Sequence, residues 1–327
     1  MSAGRAATYL TPETVARLGS MELRARLVVE GFITGLHRSP FHGFSAEFAE
    51  HRQYRHGDEL KRIDWKIYGR SNRYYVKQYE DETNLRAMVC VDMSASMNYA
   101  SPGNITKFEY ATYFAAALSY LVLQQRDSAG LALYNSDLQT FLPSRSKMSY
   151  VQELIRALEN ATPQSTTGTA VALHHIAEQL SRRGLVVIIS DFFDDPESIL
   201  KAFQHFRHDQ HDVLVMHVMD PREVDFNLGA PAVFRDMETG VEITTQPNQI
   251  KHSYHTAVEE FCQTLKRGCH MQNIDYMRVT TNMPFDTALR EYLVKRHSIK
   301  GWEYIAFTHH AYHRTSYCDC YTVFAKR

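Results

Sequence analysis

Asp92, Ser94 and Ser96 stand at alternate positions directly after a short apolar run, residues 88–91. A strand that ends in a carboxylate and continues as Asp-x-Ser-x-Ser on a tight loop sets three hard oxygen donors on one side of that loop. Hard oxygens suit Mg²⁺ or Mn²⁺, which favour octahedral surroundings and, in the case of Mg²⁺, retain several waters. Two further stretches offer matching groups. Thr169 follows Gly168, where the backbone can approach closely and a helix begins, and Asp191 follows the apolar run 185–189. Two carboxylates and three hydroxyls on three strand-end loops make a site for one divalent cation, some ligands acting directly and others through water. A shell with so little charge leaves the ion net positive, and an open position then accepts an Asp or Glu from another protein. The competing reading of Asp92, Ser94 and Ser96 is an ordinary strand-to-helix turn closed by Asx and Ser hydrogen bonds.

The elements that must position these residues are legible as a strand–helix alternation. Residues 88–91, 129–134, about 138–142, 185–189, 213–219 and 274–280 read as strands, with 185–189 apolar enough to be covered on both faces. Helical spacing marks 107–125, 150–158, a helix opening at Thr169, 199–206, a stretch through Val258, Phe261 and Leu265, and 285–295. Residues 234–236 and 241–243 flank Glu238-Thr239-Gly240 as a hairpin. Such alternation predicts an α/β fold, a doubly wound and mostly parallel sheet whose binding crevice lies beyond the carboxyl ends of the strands. Asp92, Asp191 and Asp220 all fall at such ends. Asp194 and Asp195 are expected to cap the helix near Pro196, and Asp220 and Glu223 to serve a turn, the alternative being a place behind the metal ligands. His174 and His175 are adjacent rather than four apart, which makes them poor joint ligands.

Before the sheet, Thr11-Pro12-Glu13 is a helix entry, and Val15, Leu18, Leu23, Leu27 and Val28 make one rough stripe towards Gly31. Residues 74–80 read as a strand. Between Arg52 and Lys77 stand eight Lys/Arg and three acids. One reading is a solvated turn region with Trp65 in the core, and the other is a basic docking surface for a protein.

Composition narrows the function classes. The chain has 37 acidic and 36 basic residues among 327, so no global field favours nucleic acid or an anionic membrane. Neither Gly-x-x-x-x-Gly-Lys nor Gly-x-Gly-x-x-Gly occurs. Five scattered cysteines, the lack of a signal pattern and the lack of a bilayer-length apolar run lead us to expect a cytoplasmic protein without membrane insertion. Cys90 reads as a small buried hydrophobe.

Asp92-x-Ser94-x-Ser96, Thr169 after a glycine and Asp191 opening Asp-Phe-Phe-Asp-Asp resemble the metal-ion-dependent adhesion site of von Willebrand factor A domains. The upstream run Arg52-x-Tyr54…Gly57-Asp58…Ile63-Asp64-Trp65 is similar to the signature of the bacterial domain-of-unknown-function-58 branch. The resemblance runs from about residue 43 to about 296. It implies an appendage over residues 1–86, a von Willebrand factor A-like domain over 87–297, and an irregular tail, 298–327, that the family pattern does not contain. His309, His310, His313, Cys318 and Cys320 in that tail fit no familiar zinc spacing. The resemblance also implies a non-enzymatic protein-binding module that works with a MoxR-type AAA+ ATPase in maturing or remodelling protein complexes. The alternative is a Mg²⁺-dependent phosphatase-like hydrolase on a similar sheet. Against that, the haloacid-dehalogenase pattern needs an Asp two residues after the nucleophile, where this chain has Ser94.

Overall fold

In the computed structural model, residues 11–17, 19–37, 51–54, 65–77, 85–164, 168–227, 232–235, 242–245 and 247–290 are described. The Gly57-Asp58 and Ile63-Asp64 part of the upstream motif, the Glu238-Thr239-Gly240 turn and the tail 298–327 lie outside them. Short strands β1 (His51–Gln53) and β2 (Tyr75–Lys77) pair antiparallel, with helix α3 (Trp65–Ser71) between them in sequence. The central sheet is made of β3 (Arg86–Asp92), β4 (Ser128–Tyr134), β5 (Leu138–Arg145), β6 (Leu185–Ser190), β7 (Asp212–Met219) and β10 (Asp275–Thr280). A separate antiparallel pair, β8 (Ala232–Arg235) and β9 (Glu242–Thr245), forms the hairpin expected after Asp220.

The spatial order is β5-β4-β3-β6-β7-β10. All neighbours are parallel except β4–β5 at one edge. The first sheet strand in sequence therefore sits beside the fourth, and the winding direction reverses between β3 and β6. In an open α/β sheet such a reversal leaves a crevice above the strand ends, because the flanking loops run apart to opposite faces.

Alternate residues of each strand feed two cores. Ala87, Val89 and Val91 of β3 join Leu131, Val187 and Met216 against helices α4 (Lys107–Gln124) and α5 (Val151–Asn160). Met88 and Cys90 join Ala132, Ile188 and Val215 against α6 (Thr169–Gln179), α7 (Pro196–His208) and α9 (Pro247–Met271). Both faces are thus covered, which is why β6 is buried at every position.

Helix α4 carries almost no polar face. A helix apolar all round must be buried all round, and the outer cover is N-terminal. The expected single stripe from Thr11 to Gly31 is in fact two helices, α1 (Pro12–Ala16) and α2 (Met21–His37), broken around Gly19-Ser20. Helix α2 lays Met21, Ala25, Val28 and Val29 into the same core as Phe114 and Leu118, while Leu23 faces out. Arg24 donates to the Tyr113 hydroxyl at 2.6 Å and lies over its ring. The Thr11 hydroxyl bonds Thr14 Oγ1 rather than capping the backbone. Trp65 is not core either: it is 60% exposed on α3 and meets Tyr68 edge-on.

Candidate metal centre at the sheet switch point

The geometry begins with Asp92, the last residue of β3. Val91 is in register with Ile189 of β6, so the chain ends of the two central strands leave the sheet together. Asp92 Oδ1 accepts from the Ser94 amide at 2.8 Å, closing the loop on itself, and Oδ2 accepts from Ser190 Oγ at 2.6 Å. Ser94 starts a 3₁₀ turn (Ala95–Asn98) that brings the Ser94 and Ser96 hydroxyls within 3.0 Å of each other. The Met93 amide donates to the Tyr134 carbonyl at 2.7 Å, and its carbonyl accepts from the Gln164 amide at 2.9 Å. That second bond fixes the segment leading to α6 against this loop.

Thr169 is the first residue of α6 and is fully buried. Its approach depends on Gly168 for space rather than for a special backbone angle. A Cβ at Gly168 would sit 2.9 Å from Ser136 Cα and 3.1 Å from the Ser136 carbonyl oxygen, on the β4–β5 turn. Thr169 Oγ1 has no hydrogen-bond partner among the described residues, and neither has the buried hydroxyl of Tyr134, opposite Asp92 on β4. An unsatisfied buried hydroxyl costs about 1–3 kcal/mol.

Asp191 closes the third side. The following residue, Phe192, has φ 54°, a left-handed conformation that a bulky side chain adopts at a cost. Its ring is fully buried, edge-on to Phe203 and His217, and its amide donates to Ser190 Oγ at 2.8 Å. The turn sends Asp191 into the crevice and Phe193 to its rim, where Phe193 is half-exposed.

The sequence reading took no account of Lys107 or Ser190 as parts of this site, and preferred a turn role for Glu223. Lys107 opens α4 after a capping box formed by Thr106 and Glu109. Its ammonium lies 2.7 Å from Asp191 Oδ2 and 2.8 Å from Glu223 Oε1. Glu223 belongs to the short helix α8 (Pro221–Asp225), capped by Asp220 as expected of a turn residue. Asp220 Oδ2 also accepts from the Ser101 amide and hydroxyl, tying α8 to the segment ahead of α4. Asp195 caps α7 through the Ser198 amide, as its spacing predicts. His175 pairs with Asp137 at 2.6 Å on the surface and His174 faces His205.

The electrostatics follow from burial. Desolvation first, and the neighbouring Asp191 charge second, push the Asp92 carboxyl up to about 7, with the Ser190 and Ser94 bonds pulling the other way. Burial alone would lower Lys107, but Asp191 and Glu223 more than offset it and hold the ammonium above its ordinary range. Burial raises Glu223 despite the Lys107 partner. Among the described residues, no three His, Cys, Asp or Glu side chains are grouped to hold a metal ion. Asp92 and Asp191 are buried and feel each other's charge, Ser94 and Ser96 share the Asp92 loop, and Thr169 is buried at the start of α6. The unpartnered Thr169 hydroxyl fits a hard cation completing its shell there. Bound, such an ion would supply Lewis acidity and a charged contact for an incoming oxygen.

Comparison with known proteins now decides the family. The model for the protein of unknown function DUF58 matches residues 50–263. The chain belongs to the DUF58 family. Among curated relatives, the uncharacterized protein Rv1480 of Mycobacterium tuberculosis is 30% identical over 234 residues, 70% of this chain and 73% of the relative. Uncharacterized protein Mb1516 of Mycobacterium bovis matches with the same figures. Similar solved structures include the conserved hypothetical protein BatB from Bacteroides thetaiotaomicron, with TM-score 0.45, 19% identity, and coverage of 65% of this chain and 99% of that one. The SpRpn10 VWA domain follows at TM-score 0.39 and 10% identity, covering 64% and 95%. The sheet order itself, with one antiparallel edge strand, is the mostly parallel von Willebrand factor A-type arrangement that the motifs imply. No helix among the described residues is long and apolar enough to cross a membrane.

Proposed function

We propose that this DUF58 protein is a divalent-cation-dependent protein-binding module, acting in the cytoplasm as an adaptor for a MoxR-type AAA+ ATPase and its client. The observation that carries the reading is the fully buried Thr169 hydroxyl, without a partner among the described residues, at the start of a helix whose leading segment is tied to the Asp92 loop by the Gln164–Met93 bond. Asp92, Ser94, Ser96, Thr169 and Asp191 would hold one Mg²⁺ or Mn²⁺. The two carboxylates balance the ion's charge, so its pull on a partner rests on an open coordination position towards the rim, which a partner's Asp or Glu completes. Phe193, half-exposed beside Asp191, adds apolar contact at the same place. The ATPase partnership rests on the family resemblance alone.

Isothermal titration with Mn²⁺ tests the ion, and pull-down from a bacterial lysate tests the partner. The reading expects one Mn²⁺ per chain, lost in Asp92→Ala, and recovery of an AAA+ ATPase that weakens with EDTA or Asp191→Ala. A folded protein that takes up no Mn²⁺, or recovery untouched by both treatments, defeats it. Mg²⁺-dependent phosphatase turnover that disappears in Asp92→Ala would install the hydrolase reading instead.

A further inference from the structure

Lys107 is a buried cation in the place where a cation site is proposed. Its side chain has no exposed surface, Asp191 is 1% exposed and Glu223 13%. The Phe193 ring lies 4.6 Å from the ammonium and the Tyr99 ring 5.9 Å, so aromatic faces shield it from water. One of its two partners is Asp191 Oδ2, an oxygen of a candidate metal ligand, at 2.7 Å. The other, Glu223, is no candidate ligand and comes from the short helix α8. Two cations sharing one carboxylate in a water-poor crevice repel strongly, because the low local dielectric leaves their charges unscreened.

We propose that Lys107 is an internal counter-cation that competes with the divalent ion for Asp191, and that Glu223 is the second berth to which the ammonium shifts when the ion enters. In the metal-free protein the ammonium offsets the crowded carboxylates and lets the crevice fold without an ion. On loading, Lys107 gives up Asp191 Oδ2 and stays on Glu223, with no proton lost or gained. The pair Lys107–Glu223 therefore sets the concentration of free cation at which the module becomes competent. A partner contact that drew Glu223 away would return Lys107 to Asp191 and expel the ion.

The inference rests on the proposed metal site, and the experiment separates the two. Mn²⁺ affinity of the full chain is measured by titration calorimetry for wild type, Lys107→Met, Glu223→Gln and the double variant, with metal-free folding checked by circular dichroism. Lys107→Met is expected to bind Mn²⁺ about tenfold tighter, and Glu223→Gln about tenfold weaker. In the double variant the Glu223→Gln penalty should shrink to about twofold or less, since the ammonium it would have stranded on Asp191 is gone. Additive effects would mean that only the net charge matters, and a weaker Lys107→Met would make Lys107 a support for Asp191; either overturns the proposal. Should Lys107→Met not fold, Glu223→Gln decides alone, and unaltered affinity there refutes it. A folded wild type that binds no Mn²⁺ refutes the metal site itself instead.

Discussion

Thr169→Val exchanges a hydroxyl for a methyl of the same shape at the first turn of α6. Valine and threonine have similar helix propensity and the same branching, so the change isolates one oxygen. In the metal-free protein that oxygen is fully buried without a partner among the described residues. Leaving such a group unsatisfied costs about 1–3 kcal/mol, and the valine removes the cost while keeping the packing. The variant should therefore be more stable than wild type by about 1–2 kcal/mol in EDTA, a rise of about 2–4 °C in Tm per kcal/mol. With Mn²⁺ the order should reverse, because a lost ligand weakens the ion by about 10–100-fold, as much as an outer-shell change does. Thermal unfolding followed by circular dichroism, with EDTA and then with Mn²⁺, reads both. A valine variant that is less stable in EDTA and binds Mn²⁺ like wild type would show that the hydroxyl is a structural group, and the reasoning from its orphaned state fails.

Other expectations follow from the same geometry. Gly168→Ala puts a Cβ 2.9 Å from the Ser136 backbone; it should destabilise the fold by about 1–3 kcal/mol and weaken Mn²⁺ binding, read by urea titration and calorimetry. Gly184→Ala, whose Cβ would lie 2.3 Å from the Arg86 carbonyl oxygen at the far end of β6, should cost at least as much stability and leave Mn²⁺ affinity within about twofold. Two buried groups oppose each other in acid. Burial lowers His217 to about 4, so stability falls by up to about 3 kcal/mol as pH drops from 6.5 to 4. Asp92, raised to about 7, binds its proton in the folded state first, so stability rises by up to about 4 kcal/mol as pH drops from 7 to 4. Metal-free wild type should thus have a shallow profile. Asp92→Asn should expose the acid-side loss, and a His217→Phe variant with a steady acid-side gain would agree with it; parallel profiles in all three proteins would dismiss both assignments.

The sheet was legible because fully buried strands are apolar at successive positions, as 185–189 show, and because Asp92 and Asp191 break those runs where the strands leave the core. The site's protein-supplied cation was not. Lys107 entered the sequence reading only as the first residue of the helix 107–125, yet a cation in the first turn opposes the helix dipole. That local mismatch was the available signal, since residues that break local rules concentrate at functional sites. Glu223 was read as a turn residue, and it does complete a capping box through the Asp220 amide, but its second oxygen answers to Lys107, 116 residues away in sequence. Long-range pairing of that kind leaves no periodic trace. The division of α1 from α2 was missed because Leu23 and Leu27 suggested a stripe, whereas the face that covers α4 uses Met21, Ala25, Val28 and Val29. The antiparallel direction of β5 came from the short Asn135–Asp137 turn, which leaves no room for a crossover.

The left-handed step at Phe192 has a consequence for signalling. The residue is anchored from beneath by Phe203 and His217, so the course of the main chain past Asp191 is decided by the hydrophobic layer under the sheet and not by what occupies the crevice. An ion held as proposed would arrive or depart without swinging this loop. Were a protein to dock on such an ion as proposed, the signal passed to it would be written in charge and in side-chain rotamers on a fixed surface, more like ink on a stamp than the throw of a lever.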